Sequence, residues 1–251
     1  MNILNKILAD KVGEIEIRKS VVSKSLIVEM LGDYSAKEKR CSMSHSIKKS
    51  KYGIISEFKR SSPSKGVIKE NANVEEIIPL YEKLGASGIS VLTDKKYFGG
   101  SLKDLENVRK ITDLPVLRKD FVIDEYQIFE AALAQADTIL LIAAALEKNK
   151  LKDLAFLAHS LKLEVLLEVH NEKELDHFCD YVDIIGVNNR DLTTFRTDIK
   201  QSVDLFDKLP NDVVKISESG ISSWEDMEML KNVGYDGFLV GENLMNGNLI
   251  R

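Results

Sequence analysis

The 251-residue chain has only two cysteines, Cys41 and Cys179, which lie far apart and in no CxxC spacing. A disulfide framework is therefore not expected, and reduced thiols in a cytoplasm are the better reading. No stretch approaches the roughly 18 unbroken apolar residues of a membrane span, so a membrane partner is not expected. Excess positive charge is missing too. A net charge of −5 and a pI near 5.6 leave no global basic footprint for nucleic acid or anionic lipid, so any anion must be bound by local geometry. The four histidines, His45, His159, His170 and His177, form no HExxH or similar cluster, and Glu168 with His170 amounts to two ligands. No metal and no cofactor are expected; His170 reads as a hydrogen-bonding residue at a rim. The amino terminus lacks a signal peptide's apolar run, and Asp10, Glu14 and Glu16 argue against a transit peptide, so it reads as part of the mature protein. No linker or low-complexity tract divides the chain.

What is present is periodic. Ile3, Leu4, Ile7, Leu8, Val12 and Ile15 recur at three- and four-residue steps, one face of an amphipathic helix covering part of a core. A polar, Lys- and Ser-rich passage over 35–50 separates it from the first strongly apolar run. From there short β-rich runs alternate with helical patterns: YGIISEFK (52–59), GISVLTD (88–94), PVLRKDF (115–121), DTILLIAAA (137–145), EVLLEVH (164–170), DIIGVNNR (183–190), DVVKISES (212–219) and DGFLVGE (236–242). Eight such strands, mostly aliphatic as in sheets buried on both faces, can close a barrel, and the chain length matches the about 250 residues that fold needs. The expected architecture is one α/β domain over 1–251, a (β/α)8 TIM barrel with a helical amino-terminal extension over 1–46. An open doubly wound sheet is the runner-up, but no GxGxxG turn follows the first strand.

The apolar runs end in polar residues: Glu57 and Lys59, Lys119, Glu168 and His170, Asn188 and Arg190, Glu218 and Ser219. In a barrel these are the C-terminal strand ends, where catalytic groups collect. Side chains two apart share a face, so Glu57 pairs with Lys59, Lys119 with Phe121, Glu168 with His170 and Asn188 with Arg190. Taken singly, each is explained by a solvated loop charge or a structural ion pair. Together they imply a polar, wetted mouth, because lone charges on buried strands would cost several kcal/mol. Glycines after the seventh and eighth strands, in Ser219-Gly220 and Gly241-Glu242, let backbone N–H groups approach a phosphate. Plain turn chemistry is the alternative for either glycine alone. Lys215, early in the seventh strand, is read as snorkelling to the lower rim in preference to a Schiff-base role.

The segment SEFKRSSPSKG (56–66) resembles the signature of the indole-3-glycerol phosphate synthase family, an E-x-K pair followed by S-P-S and a glycine. Further blocks match in order: LTDKKYFGGS (92–101), LRKDF (117–121), LLEVH (166–170), IGVNNRDL (185–192), SESGI (217–221) and VGENLM (240–245). Asn243 departs from the serine expected in the last block, which touches only local phosphate affinity. The resemblance implies a lyase of tryptophan biosynthesis. It would close 1-(2-carboxyphenylamino)-1-deoxyribulose 5-phosphate to indole-3-glycerol phosphate with loss of carbon dioxide and water. It implies Lys119 as general acid with Lys59 as second candidate, Glu168 as principal carboxylate, Glu57 as the partner that sets the lysine, and Asn188 beside them. Arg190 with Asn188 and Ser62 would hold the substrate carboxylate as a planar fork. Pro63, Phe98, Phe121 and Phe195 would wall the ring, with Glu218 also at the substrate. Lys59, Ser219, Gly220, Gly241 and, through its backbone, Glu242 would meet the phosphate. Phosphoribosylanthranilate isomerase-like barrels lack the extension and the E-x-K…S-P-S block. A non-catalytic phosphate-binding barrel has no need of Glu57, Lys119 and Glu168 together. A monofunctional, monomeric enzyme is expected, with at most weak association with other enzymes of the pathway.

Overall fold

The computed structural model describes residues 3–34, 40–191 and 194–247. Eight parallel strands form a closed barrel: β1 (Ile54–Phe58), β2 (Gly88–Leu92), β3 (Val116–Lys119), β4 (Thr138–Ile142), β5 (Glu164–Val169), β6 (Ile184–Asn188), β7 (Val214–Glu218) and β8 (Gly237–Val240). Closure is made by β1 pairing with both β2 and β8. Each of the eight expected runs contains one strand. A two-stranded hairpin, Ser61–Ser62 with Gly66–Val67, follows β1 at the barrel mouth.

Strand parity divides the core in two. The inward residues Ile55, Leu117, Leu140, Leu166, Ile184, Val214, Ile216 and Leu239 fill the barrel, whereas Ile54, Phe58, Ile89, Val91, Val116, Ile139, Val165 and Ile185 pack outward under the helices. Following one inward column upward, Ile55 leads to Glu57 and Leu166 to Glu168. Apolar residues thus occupy the lower layers and charged ones the last layer, as an interior packed by alternate strands requires. Lys215 points outward at the lower rim, its Nζ 5.5 Å from the Phe206 ring centroid and 3.4 Å from the Asn211 carbonyl oxygen.

Among the described residues three helices precede the barrel: α1 (Ile3–Val21), α2 (Lys24–Tyr34) and α3 (Met43–Lys49). The Lys- and Ser-rich passage, expected as a polar spacer, contains α3, whose fully buried Met43 and Ile47 plug the lower end of the barrel. Residues 35–39 of that passage lie outside the described residues. Its serines have a local task. The Glu164 carboxylate accepts from the Met43 and Ser44 amides at 2.7 and 3.0 Å and from the Ser42 and Ser44 hydroxyls at 2.6 and 2.7 Å. A negative group is thereby seated on otherwise unpaired N–H groups at a helix start. Among the described residues no helix is long and apolar enough to cross a membrane.

Candidate active site

The C-terminal strand ends open into a cavity of about 500 Å³, lined by every residue expected at the catalytic, substrate and phosphate positions, whereas His170 stays outside its lining. On its floor Lys59 Nζ donates to Glu57 Oε1 at 2.6 Å, and Lys119 Nζ donates to Glu168 Oε2 at 3.2 Å and lies 3.5 Å from Glu218 Oε2. Three carboxylates and two lysines from four strands therefore share one buried patch. Burial alone would lower the Lys119 pKa, but Glu168, Glu218 and Glu57 outweigh it and hold the ammonium well above its ordinary range. The same attraction keeps the Glu57 and Glu168 carboxyls below theirs despite burial: Lys59 and then Lys119 act on the first, Lys119 and then His170 on the second.

Glu218 goes the other way. Burial, with the charges of Glu168 and Glu57, pushes its carboxyl up to about 8 against the pull of Lys119. Neither of its oxygens has a hydrogen-bond partner among the described residues. Gly186 makes its room, since a Cβ there would collide with Glu218 Oε1. The glycine in the sixth strand run is the signal that sequence reading missed.

Above the floor, the Arg190 guanidinium donates to the Ser64 hydroxyl at 2.9 Å, and the Arg190 amide to Asn188 Oδ1 at 3.0 Å. The serine that touches the arginine is Ser64, not Ser62. Ser62 stands 3.4 Å behind it, because the hairpin after β1 turns Ser64 toward β6. Phe98 and Phe121 form one wall, with ring centroids 6.2 Å apart, and Pro63 and Phe195 complete the rim.

The two glycine turns lie side by side. Ser219 and Gly220 both have positive φ, 67° and 75°. For a serine this conformation costs on the order of 1–3 kcal/mol, which a functional turn can justify. A Cβ on Gly241 would lie 3.0 Å from Lys59 Nζ and well inside contact distance of Glu57 Oε1, so a larger residue here would displace both groups. Asn243 donates its side-chain amide to the Ile221 carbonyl at 2.8 Å and so ties the two turns together. Glu242 directs its carboxylate away to Lys65 Nζ at 3.4 Å.

The helix α1 reaches this site as well. Leu4 and Ile7 are buried and line the cavity with Ile3. The buried stripe is Leu4, Ile7, Lys11 and Ile15, so the expected apolar face is shifted: Val12 is 55 % exposed and a lysine is buried in its stead. Lys11 Nζ lies 2.7 Å from Asp94 Oδ2, 3.0 Å from Asp120 Oδ1 and 2.9 Å from Glu14 Oε2. Asp94 lies two residues beyond β2 and Asp120 directly follows β3, and two buried carboxylates there require a cation. Asp120 also takes the Arg118 guanidinium at 3.0 Å and the Thr93 hydroxyl at 2.7 Å. Although burial alone would raise it, Arg118 and Lys11 hold its carboxyl far below the ordinary range. His170 sits beside the floor, its Nε2 3.5 Å from Glu168 Oε1. Among the described residues no group of three or more His, Cys, Asp or Glu side chains is placed to hold a metal ion.

A closed parallel barrel with paired lysines and carboxylates in its mouth belongs to the acid–base enzymes of the (β/α)8 class. The family model described as indole-3-glycerol phosphate synthase matches residues 4–250. A protein of that name from Bacteroides thetaiotaomicron is 48% identical over 97% of this chain and 93% of its own length. Another, from Chloroherpeton thalassium, is 44% identical over 98% and 95%. The chain belongs to the indole-3-glycerol phosphate synthase family. Among solved structures, an N-acetylmannosamine-6-phosphate 2-epimerase from Clostridium perfringens (TM-score 0.63, 13% identity, 83% of this chain and 93% of that one) shares the fold. So does a tryptophan synthase alpha-subunit from Pyrococcus furiosus (TM-score 0.59, 13% identity, 77% and 88%).

Proposed function

We propose that this enzyme closes 1-(2-carboxyphenylamino)-1-deoxyribulose 5-phosphate to indole-3-glycerol phosphate, releasing carbon dioxide and water. The observation that carries the reading is Lys119, a half-buried ammonium held between Glu168 and Glu218 on the cavity floor. As the aromatic carbon attacks, negative charge develops on the substrate's carbonyl oxygen, and a cationic lysine there protonates it. Decarboxylation restores the aromatic ring. Dehydration then needs one group to take a proton from carbon and another to protonate the departing hydroxyl. Glu168, kept ionised by Lys119, takes the carbon-bound proton, and Glu57 orients Lys59 as the second acid.

Arg190, supported by Ser64 and Asn188, meets the substrate carboxylate; Phe98, Phe121, Phe195 and Pro63 enclose the ring, with Ser62 and Glu218 at its edges. Lys59 and the backbone of Ser219, Gly220, Gly241 and Glu242 receive the phosphate, a role supported by the close approach of Gly241 to Lys59. The composition supports a cytoplasmic monomer, with cysteines in no pairing pattern and a net charge of −5. The test is to supply the substrate to purified protein and follow indole fluorescence: a rise proportional to enzyme concentration is expected, and a trace equal to buffer would refute the proposal.

A further inference from the structure

The run Asn188-Asn189-Arg190 at the end of β6 gives its first and third residues to the cavity, while the one between them has the opposite parity. Asn189 is 1% exposed and lies outside the cavity lining, between the barrel and the helix Lys200–Leu205. A buried side-chain amide must pair two donor hydrogens and an oxygen with two lone pairs. Asn189 pairs all of them. Oδ1 accepts from the Ser202 amide at 3.1 Å and the Ser202 hydroxyl at 2.7 Å, and Nδ2 donates to the Ser217 hydroxyl at 2.9 Å and the Ser219 carbonyl at 3.0 Å. A backbone N–H only donates and a carbonyl only accepts, so these partners fix which end of the amide is oxygen.

Three of the four bonds stay within one buried ring. The Ser202 and Ser217 hydroxyls are 2.7 Å apart, so Ser217 donates to Ser202, Ser202 to Asn189 and Asn189 back to Ser217. The Tyr235 hydroxyl, donating to the Ser202 carbonyl at 2.8 Å, holds the helix against this ring. The fourth bond leaves it for Ser219, whose φ of 67° is strained for a serine. In a trans peptide the N–H and C=O point in opposite directions. Drawing the Ser219 carbonyl down onto Asn189 therefore turns the Gly220 N–H away from the core, toward the cavity that Ser219 and Gly220 line. That N–H donates to no group among the described residues.

We propose that Asn189 is a positioning residue for the phosphate: its side-chain amide holds the Ser219 peptide so that the Gly220 N–H is presented to a phosphoryl oxygen, an inference that rests on the phosphate site proposed above. Asn189 touches no substrate atom and acts through the turn alone. The ring with Ser202 and Ser217 keeps the amide from rotating, so the strained turn is set before the anion arrives and binding does not have to order it. Lys119 and Glu168 stand on β3 and β5, across the mouth from this turn, so loss of Asn189 weakens the hold on the phosphate and leaves the chemical step in place.

The test titrates purified protein with inorganic phosphate and, separately, with benzoate, which offers only a carboxylate for Arg190, and obtains each Kd from the rise in Tm. In Asn189→Ala the phosphate Kd should rise about fivefold or more, as loss of a hydrogen bond to the turn does, with the benzoate Kd within about twofold of the parent. In steady-state assays KM should rise with kcat within about twofold. Ser217→Ala is the control for a merely structural role: it opens the buried ring and lowers Tm, but leaves Nδ2 on the Ser219 carbonyl, so its phosphate Kd should match the parent. If Asn189→Ala does not fold, Asn189→Ser keeps a hydroxyl beside Ser202 but is too short to reach Ser219, and the same rise is expected. An unchanged phosphate Kd in the Asn189 variant overturns the proposal. So does an equal rise in Ser217→Ala, which would make Asn189 a general brace. A parent whose Tm ignores inorganic phosphate overturns the phosphate site itself, and that result is read before any variant is made.

Discussion

Replacing Lys11 with methionine removes a charge that is 1% exposed while keeping most of the side-chain volume. Glu14 is partly exposed and can turn to water, but Asp94 and Asp120, 2% and 0% exposed, cannot. Asp120 retains Arg118 and Thr93; among the described residues the Asp94 carboxylate retains only the Tyr97 amide, at 2.7 Å. Breaking one side of a buried ion pair costs about 3–5 kcal/mol. For a protein of this size each kcal/mol lowers Tm by roughly 2–4 °C, so a fall of about 10 °C is expected by calorimetry. The sign with pH follows from Asp120, whose folded carboxyl lies below its unfolded value. It contributes stability present above about pH 4 and lost as pH falls through the folded pKa. The gap between parent and variant should therefore be widest near neutrality and narrow in acid, where protonation relieves the uncompensated carboxylate. Asp120 separates Lys119 from Phe121 in sequence, so turnover should fall as well, and arginine at position 11 should recover more of it than methionine. A Tm within about 2 °C of the parent, or a gap that widens in acid, would refute the reasoning.

In Lys119→Ala, kcat should drop by about 10² to 10⁴ with KM little altered, as loss of a general acid requires; parental turnover would reassign the acid. Arg190→Lys loses the planar fork and should raise KM more than it lowers kcat in steady-state assays, and an unchanged KM would remove the carboxylate role. Glu218 has a folded pKa of about 8, above its ordinary 4.5, so protonation favours the folded state. Its contribution is fully present below about pH 4.5 and is lost as pH rises through about 8. Urea titrations should accordingly show Glu218→Gln gaining stability relative to the parent over that interval, and parallel pH profiles would contradict the assignment.

Strand count and the strand-end residues could be read directly because period-two alternation is local: once Ile55 faces inward, so must Glu57 and Lys59. The helical face of α1 was readable only in part. Periodicity selected Val12, while the folded protein buries Lys11, because the partners that make a buried lysine favourable, Asp94 and Asp120, lie far along the chain and carry no signal near position 11. The α3 plug was hidden for a similar reason. Its serines and lysines read as solvated spacer until Glu164, 120 residues from Ser44, supplies the cap.

Residue chemistry along single strands therefore declared the barrel and nominated its mouth, since covalent adjacency and side-chain parity leave little freedom there. Closure of the sheet settled everything that depends on neighbours across the mouth. It set Lys119 between Glu168 and Glu218, turned Ser64 rather than Ser62 toward Arg190, and aimed His170 at the far oxygen of Glu168. These are contacts between different strands, and their energies depend on distances of a few ångströms that exist only once the barrel has closed.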